Sequence, residues 1–261
     1  MPGQALPIVE ATVDGQRGVF IVDTGAPHSA LSRRWCVDRG LAWNGAVSHP
    51  VDDGAGTRIP AEAVRLGHVA AGGQARDVPA VVFDFPPGLA VAGILSPLDV
   101  FGGRPVRLDL RARRLVVGEA TGDAGAGLPF TAPLHWRGGV PLVAARVAGR
   151  PGFLMVDSGA GGVVLCRAYA RISGLHTPQA TTTMSAAGAL AVGVGLRAGI
   201  AVGGSAEVQA DIALKPCRTV GPAAPVLALD GLLGVGWLGG RILDFSRDRL
   251  SLGFDERVPA A

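Results

Sequence analysis

Two short stretches of this sequence carry the residue types needed for acid–base chemistry. Val19-Phe20-Ile21-Val22-Asp23-Thr24-Gly25-Ala26 ends an apolar run in a carboxylate, a hydroxyl and a glycine, and Phe153-Leu154-Met155-Val156-Asp157-Ser158-Gly159-Ala160 has the same form. A buried strand would deliver each aspartate to its tip, and the glycine lets the backbone turn sharply beneath it. One such triplet is weak evidence, because aspartate before glycine is ordinarily a turn residue. Two copies on matched apolar strands point to a pair. If halves related by a pseudo-two-fold axis bring equivalent loops together, as a symmetric dimer interface does, Asp23 and Asp157 meet. Carboxylates about 3 Å apart cannot both ionise cheaply, so they share a proton and titrate as a unit. One then acts as base for a water held between them, the other as acid toward a carbonyl oxygen or leaving amine. Thr24 and Ser158 can each offer a hydroxyl to the opposite loop. Gly25 and Gly159 keep side chains away, so that backbone N–H groups reach the carboxylates.

The elements that must position these residues repeat with them. Residues 7–15 lie over residues 141–149, and the register continues without a gap through Gly18/Gly152, Leu31/Leu165 and Gly40-Leu41/Gly174-Leu175. A constant offset over that length marks an internal duplication. Each copy opens with an alternating strand, turns at Gly15 or Gly149, and returns along the apolar strand that ends at the aspartate. Residues 29–40 and 163–174 are short helical candidates closed by glycine. The polar or Gly-rich stretches 47–60 and 181–191 read as exposed hairpin tips. Residues 64–83 and 193–214 supply further short strands. Gly93-Ile94-Leu95-Ser96 and Gly231-Leu232-Leu233-Gly234 form a third shared block, each followed by an apolar run and a strand pair turning on aspartate. Residues 119–129 have linker composition. The expected organisation is mainly β: an N-terminal lobe over 1–120, a linker over 121–132 and a C-terminal lobe over 133–261.

Composition agrees with two packed β lobes and narrows the function classes. With 48% hydrophobic and 17% charged residues among 261, the chain can bury a real core. Gly 40 and Pro 19 against 5% aromatic residues imply many turns and short strands. The net charge of +3 is thinly spread. Its one tight basic cluster, Arg111, Arg113 and Arg114, lacks interleaved aromatics and reads as a strand edge rather than a nucleic-acid patch. Cys36, Cys166 and Cys217 lack CxxC spacing and fit free buried thiols better than a disulfide framework or zinc site. The scattered histidines form no HxH or HxxxH pair, so neither metal nor cofactor is expected. The first seven residues have neither the basic nor the apolar region of a signal peptide. As written the chain is expected to be cytoplasmic, or periplasmic or membrane-tethered if a leader was trimmed. Residues 186–204 come closest to a membrane span but carry Arg197 and six glycines.

Asp23-Thr24-Gly25-Ala26 and Asp157-Ser158-Gly159-Ala160, each followed by an apolar-apolar-small block, resemble retropepsin-type aspartic proteases over nearly the whole chain. Ala26 and Ala160 after the glycines are closer to the retroviral pattern than to the pepsin pattern. The resemblance implies a single-chain, two-lobed form of the retroviral dimer, with acid-protease β-barrels, like retropepsin-like proteins of bacteria. It implies an aspartic endopeptidase with Asp23 and Asp157 as catalytic dyad and Thr24, Gly25, Ala26, Ser158, Gly159 and Ala160 as active-site loop support. Hairpins near Asp53, Gly54 and Gly56, and near Ala187 and Gly188, would be flaps over the substrate. The shared-proton behaviour of such dyads is an established property of aspartic proteases rather than a reading of this sequence. Peptide or protein is then the partner, and one chain suffices for a complete site. Ser96 departs from the family's glycine, which Gly234 keeps, and Tyr169, the only tyrosine, lies too late to serve as a pepsin-type flap residue. His28 reads as a surface-loop histidine, with a place at the cleft mouth as the sharper alternative.

Two other classes compete. An actin or sugar-kinase type of fold also duplicates an Asp-x-Gly turn, but uses it for phosphates and Mg²⁺. Such turns carry further hydroxyls after the glycine, where this chain has Ala26 and Ala160. A catalytically silent peptide-binding protein on the same fold is the nearer alternative, with extended peptide held by strand addition.

Overall fold

The computed structural model describes residues 6–43, 50–52, 58–71, 73–102, 104–110, 112–118, 130–137, 139–176, 179–185, 188–215, 229–239, 241–245 and 250–254. The first half contains β1 (Ile8–Val13), β2 (Gln16–Val22), β3 (Ser29–Ser32), α1 (Arg33–Asp38), β4 (Val51–Asp52) and β5 (Arg58–Ile59). It continues through β6 (Glu62–Ala71), β7 (Gln74–Phe83), β8 (Gly93–Leu95), α2 (Pro97–Phe101), β9 (Val106–Asp109) and β10 (Arg114–Val117). The second half contains β11 (Phe130–Arg137), β12 (Val140–Val147), β13 (Arg150–Val156), β14 (Val163–Cys166), α3 (Arg167–Ile172) and β15 (Gln179–Ser185). It ends with β16 (Gly188–Val202), β17 (Val208–Lys215), β18 (Gly231–Leu233), α4 (Val235–Leu238), β19 (Ile242–Phe245) and β20 (Leu250–Phe254).

Each half closes a six-stranded barrel, so the molecule is mainly β as expected. The first has the order β1-β2-β8-β3-β7-β6 and the second β12-β13-β18-β14-β17-β16, closed by β12 against β16. Each barrel opens with a tight hairpin: Asp14 and Gly15 (φ 47° and 78°), then Ala148 and Gly149 (φ 49° and 76°), take left-handed conformations. Consecutive positive φ values match the twist of the flanking strands. The return strand is the apolar run. Phe20, Ile21 and Val22, and Leu154, Met155 and Val156, are buried because a barrel wall packs both strand neighbours and the core.

Both barrels then insert a short parallel strand beside that run. Phe20, Ile21 and Val22 pair with Gly93, Ile94 and Leu95; Leu154, Met155 and Val156 pair with Gly231, Leu232 and Leu233. Glycine opens each short strand because the crossing strand leaves no room for a side chain. A Cβ on Gly93 would stand 2.3 Å from Ala30 O, and one on Gly231 2.4 Å from Val164 O.

An antiparallel sheet in the order β10-β9-β19-β20-β11 joins the halves, and the pairing of β11 with β12 makes it continuous with the second barrel. Leu108 pairs with Leu243 and Arg107 with Asp244 across the seam. The Arg107 guanidinium bridges to Asp244, which is buried. One apolar cluster runs from Val13 and Phe20 through Leu108 to Leu154 and Leu243, so the core crosses from one half to the other.

The structure differs from the sequence reading in three respects. The helical candidates 29–40 and 163–174 begin as strands: β3 and β14 occupy their first four residues, and only α1 and α3 are helical. Residues 29–32 and 163–166 pair in parallel with β7 and β17, and barrel closure overrides local helical periodicity. The strands expected to be short over 64–83 and 193–214 are long, with ten residues each in β6 and β7 and fifteen in β16. Bulges between Leu66 and Val69, and between Gly193 and Leu196, bend them without ending them. Finally, Cys166 is disulfide-bonded rather than a free thiol. Cys36 is free and buried, and burial pushes its thiol up to about 11.

The crowding at Gly93 leads to the first prediction. Gly93→Ala forces a methyl against backbone, so stability should fall by about 1–3 kcal/mol, read as a lowered urea midpoint at unchanged m-value. A midpoint within error of wild type would show that the barrel absorbs the methyl.

Candidate active site

The tips of β2 and β13 meet at the junction of the two barrels. Each is anchored identically to its neighbour, with Asp23 N–H donating to Leu95 O and Asp157 N–H to Leu233 O, both at 3.0 Å. The following residues lock the tips together. The Thr24 hydroxyl donates to Val156 O (2.7 Å) and accepts from Ser158 N–H (3.0 Å). Ser158 returns both contacts, donating to Val22 O (2.7 Å) and accepting from Thr24 N–H (3.0 Å). Four buried hydrogen bonds, each with a net worth of about 1 kcal/mol, hold the loops in one relative position. The sequence assigned this role to Thr24 and Ser158, and the geometry brings them together.

Gly25 and Gly159 lie under the opposite aspartates. A Cβ on Gly25 would stand 2.6 Å from Asp157 Cγ, and one on Gly159 2.3 Å from Asp23 Cγ. Only a residue without a side chain lets the loops approach so closely. Their amides turn inward: Gly25 N–H donates to Asp23 Oδ1 (2.7 Å) and Gly159 N–H to Asp157 Oδ1 (3.0 Å). Ala26 N–H also bonds to the Asp23 carboxylate. Ala160 N–H turns back to Asp157 O at 3.3 Å.

The two carboxyl groups are hydrogen-bonded to one another. Burial raises both above the ordinary carboxylate value, opposed at Asp23 chiefly by the Gly25 amide. Asp157 is raised further. Burial acts there first, then the negative charge of Asp23 and the hydrogen bond to it, while the Gly159 amide and the Lys215 charge pull downward. Asp23 thus faces more amide donors and holds charge more readily; Asp157 holds the proton more readily.

Lys215 was not singled out from the sequence. It ends β17, is buried at 8% exposure, and sits opposite Cys166 in the register. Phe83 holds the corresponding place opposite Ser32 in the first barrel, within an apolar group that includes Ala30, Ile59 and Val81. The available signal was that Lys215 is the sole lysine in a chain whose other basic residues are arginine.

Other expected residues fall as follows. Asp53, Gly54, Gly56 and Ala187 lie outside the described residues. Gly188 opens β16, where it pairs with Ser185 of β15. His28 is exposed, with Nδ1 3.9 Å from Asp99 Oδ2. Tyr169, on α3, is buried against the second barrel, donating to Arg150 O at 2.8 Å. Ser96 is buried at the N-cap of α2, its N–H donating to the Ser29 hydroxyl (3.0 Å). At Gly234 a Cβ would lie 2.3 Å from Gly162 O, which restricts that position to glycine. Among the described residues, no group of three or more His, Cys, Asp or Glu could hold a metal ion. No helix among them is long and apolar enough to cross a membrane.

A family model described as aspartyl protease matches residues 9–96. The matched segment runs from β1 to Ser96 and includes Asp23, Thr24 and Gly25; Asp157 lies outside it. The match supports an aspartic protease-like function and suggests a hydrolase. No curated protein matches the chain.

The raised pKa of Asp157 has a consequence for stability. A carboxyl whose folded pKa is raised carries no penalty below its unfolded value, near 3.8, and costs stability as pH rises from there through the folded pKa. Asp157→Asn keeps the shape without the charge. Its Tm should exceed that of wild type at pH 7, and the gain should disappear by about pH 3. An equal gain at both pH values would refute the linkage.

Proposed function

We propose that this chain, whose residues 9–96 match an aspartyl protease family model, is an aspartic endopeptidase with Asp23 and Asp157 as its catalytic pair. The observation that carries this reading is the hydrogen bond between the buried carboxyl of Asp157 and the half-buried carboxyl of Asp23 on symmetry-equivalent loops, both with raised pKa values. Such a pair keeps one proton over a broad pH range, so it offers a base and an acid at once.

The reaction follows from that asymmetry. A water between the carboxyls gives a proton to ionised Asp23 as its oxygen attacks the scissile carbonyl carbon. Asp157 donates its proton to the carbonyl oxygen, giving a neutral tetrahedral diol. In collapse, Asp157 takes a proton back from one hydroxyl while Asp23 protonates the leaving nitrogen, and the C–N bond breaks. The dyad returns with one proton, and one water has been consumed. The amides of Gly25, Ala26 and Gly159 favour the ionised form of Asp23 against the burial that disfavours it. The Thr24–Ser158 interlock keeps both carboxyls at reacting distance without reorganisation, which is where most of such a rate gain originates. The substrate is a peptide or protein segment reaching the barrel junction, and both halves of the site come from one chain.

Two measurements test this. With a peptide library at pH 4–6, Asp23→Asn or Asp157→Asn alone should reduce kcat by at least about 10³-fold while leaving the circular dichroism spectrum unchanged. Cleavage that persists in either variant would remove the dyad assignment. Lys215→Met withdraws a charge that favours ionised Asp157, so protonated forms gain and both limbs of the pH–rate profile should move to higher pH. A profile that stays in place, or shifts downward, would separate Lys215 from the dyad.

A further inference from the structure

The two barrels differ at one place on the outer side of the strand leading to each aspartate. In the second barrel Asp230 precedes β18. Its N–H donates to Phe153 O (3.1 Å), and its carbonyl accepts from Cys166 N–H (2.9 Å). Its carboxylate Oδ2 accepts from Phe153 N–H at 2.8 Å. Gly152 leaves room for that carboxylate, because a Cβ there would lie 2.9 Å from Oδ2 and 2.7 Å from the Tyr169 hydroxyl.

In the first barrel Ala92 makes the same two backbone bonds, donating to Val19 O (2.7 Å) and accepting from Ser32 N–H (2.9 Å). Ala92 is therefore the counterpart of Asp230, Val19 of Phe153, Gly18 of Gly152 and Trp35 of Tyr169. The cradle is repeated without its carboxylate, since the Ala92 methyl has no oxygen to offer the Val19 amide. An open pocket of about 780 Å³ borders this place, lined in part by Gly18, Val19, Trp35 and Ala92. Arg17 and Arg39 also line it, with Glu10, which leaves the charged lining net positive. Among the described residues neither arginine is in an ion pair.

We propose that this pocket binds a carboxylate supplied by another molecule, an aspartate side chain or free C-terminus of a peptide segment, in the place that Asp230 fills from within the second barrel. The Val19 amide and the two guanidinium groups are the donors, and hydrogen bonds between such groups and an ionised carboxylate are among the strong ones. Trp35 supplies an apolar wall for the adjoining chain. Val19 precedes Asp23 by four residues of extended strand, or about 13 Å, so a segment held here leaves the barrel junction open. The site stands apart from peptide hydrolysis, and an inactive enzyme would retain it.

The test is an amide-resolved NMR titration of the ¹⁵N-labelled chain with three short acetylated peptides. One has an internal aspartate and an amidated end, one a free C-terminal carboxylate and no acidic side chain, and one neither. Saturable movement of the Val19 amide with the first or second peptide, but not the third, is the expected result; which of the two binds identifies the carboxylate's source. Ala92→Asp restores the second barrel's arrangement within the chain and should abolish the shift. The double variant Arg17→Gln/Arg39→Gln should weaken binding at least about tenfold, and serves if Ala92→Asp does not fold. No saturable shift at Val19, a shift equal for all three peptides, or binding unchanged in the variants would overturn the proposal.

Discussion

The reciprocal hydrogen bonds of Thr24 and Ser158 are the constraint on which the site depends. Each hydroxyl has a donor and an acceptor partner in the opposite loop, and all four bonds are buried. Because a buried polar group without a partner costs about as much as several contacts gain, neither loop can shift independently. The interlock also explains the glycines. Once the tips are held at that separation, the space beneath each aspartate is occupied by the opposite loop, and a side chain there would strike a carboxyl group.

The interlock leaves two carboxyls in a place where neither is comfortable. Burial disfavours charge on both, and the inward amides relieve Asp23 more than Asp157. The fold therefore spends stability at this junction and recovers it around the junction. The recovery is in the continuous apolar cluster and in the antiparallel sheet that carries strands of both halves. That sheet makes the relative position of the barrels a property of backbone pairing rather than of side-chain contact alone.

The two halves are alike where the interlock requires it and unlike where it does not. Val22 and Val156, Leu95 and Leu233, and both glycines repeat because each holds a tip. Away from the tips, Ser96 answers Gly234, Phe83 answers Lys215, and Ala92 answers Asp230. The last exchange is accommodated locally, since Gly18 and Gly152 leave room beside Ala92 and Asp230. The result is a near-symmetric frame with an asymmetric environment on its two sides.

Much of this was legible in the amino-acid order, because the determining features are local or repeated. Apolar runs of strand length ending in Asp-Thr-Gly and Asp-Ser-Gly, glycine hairpin turns, and a constant register between halves specify the hairpins, the tips and their pairing. Helical periodicity over residues 29–40 and 163–174 misled, since β3 and β14 are strands only because distant β7 and β17 lie beside them. The role of Lys215 was likewise invisible, for its position near Asp157 arises from the pairing of β17 with β14 rather than from neighbouring residues. Chain order by itself determined which residues form the paired tips and the hairpins leading to them. Tertiary structure alone decided their separation, the protonation asymmetry and the unequal surroundings, because electrostatics and close approach depend on what the fold brings near, not on what lies next in the chain.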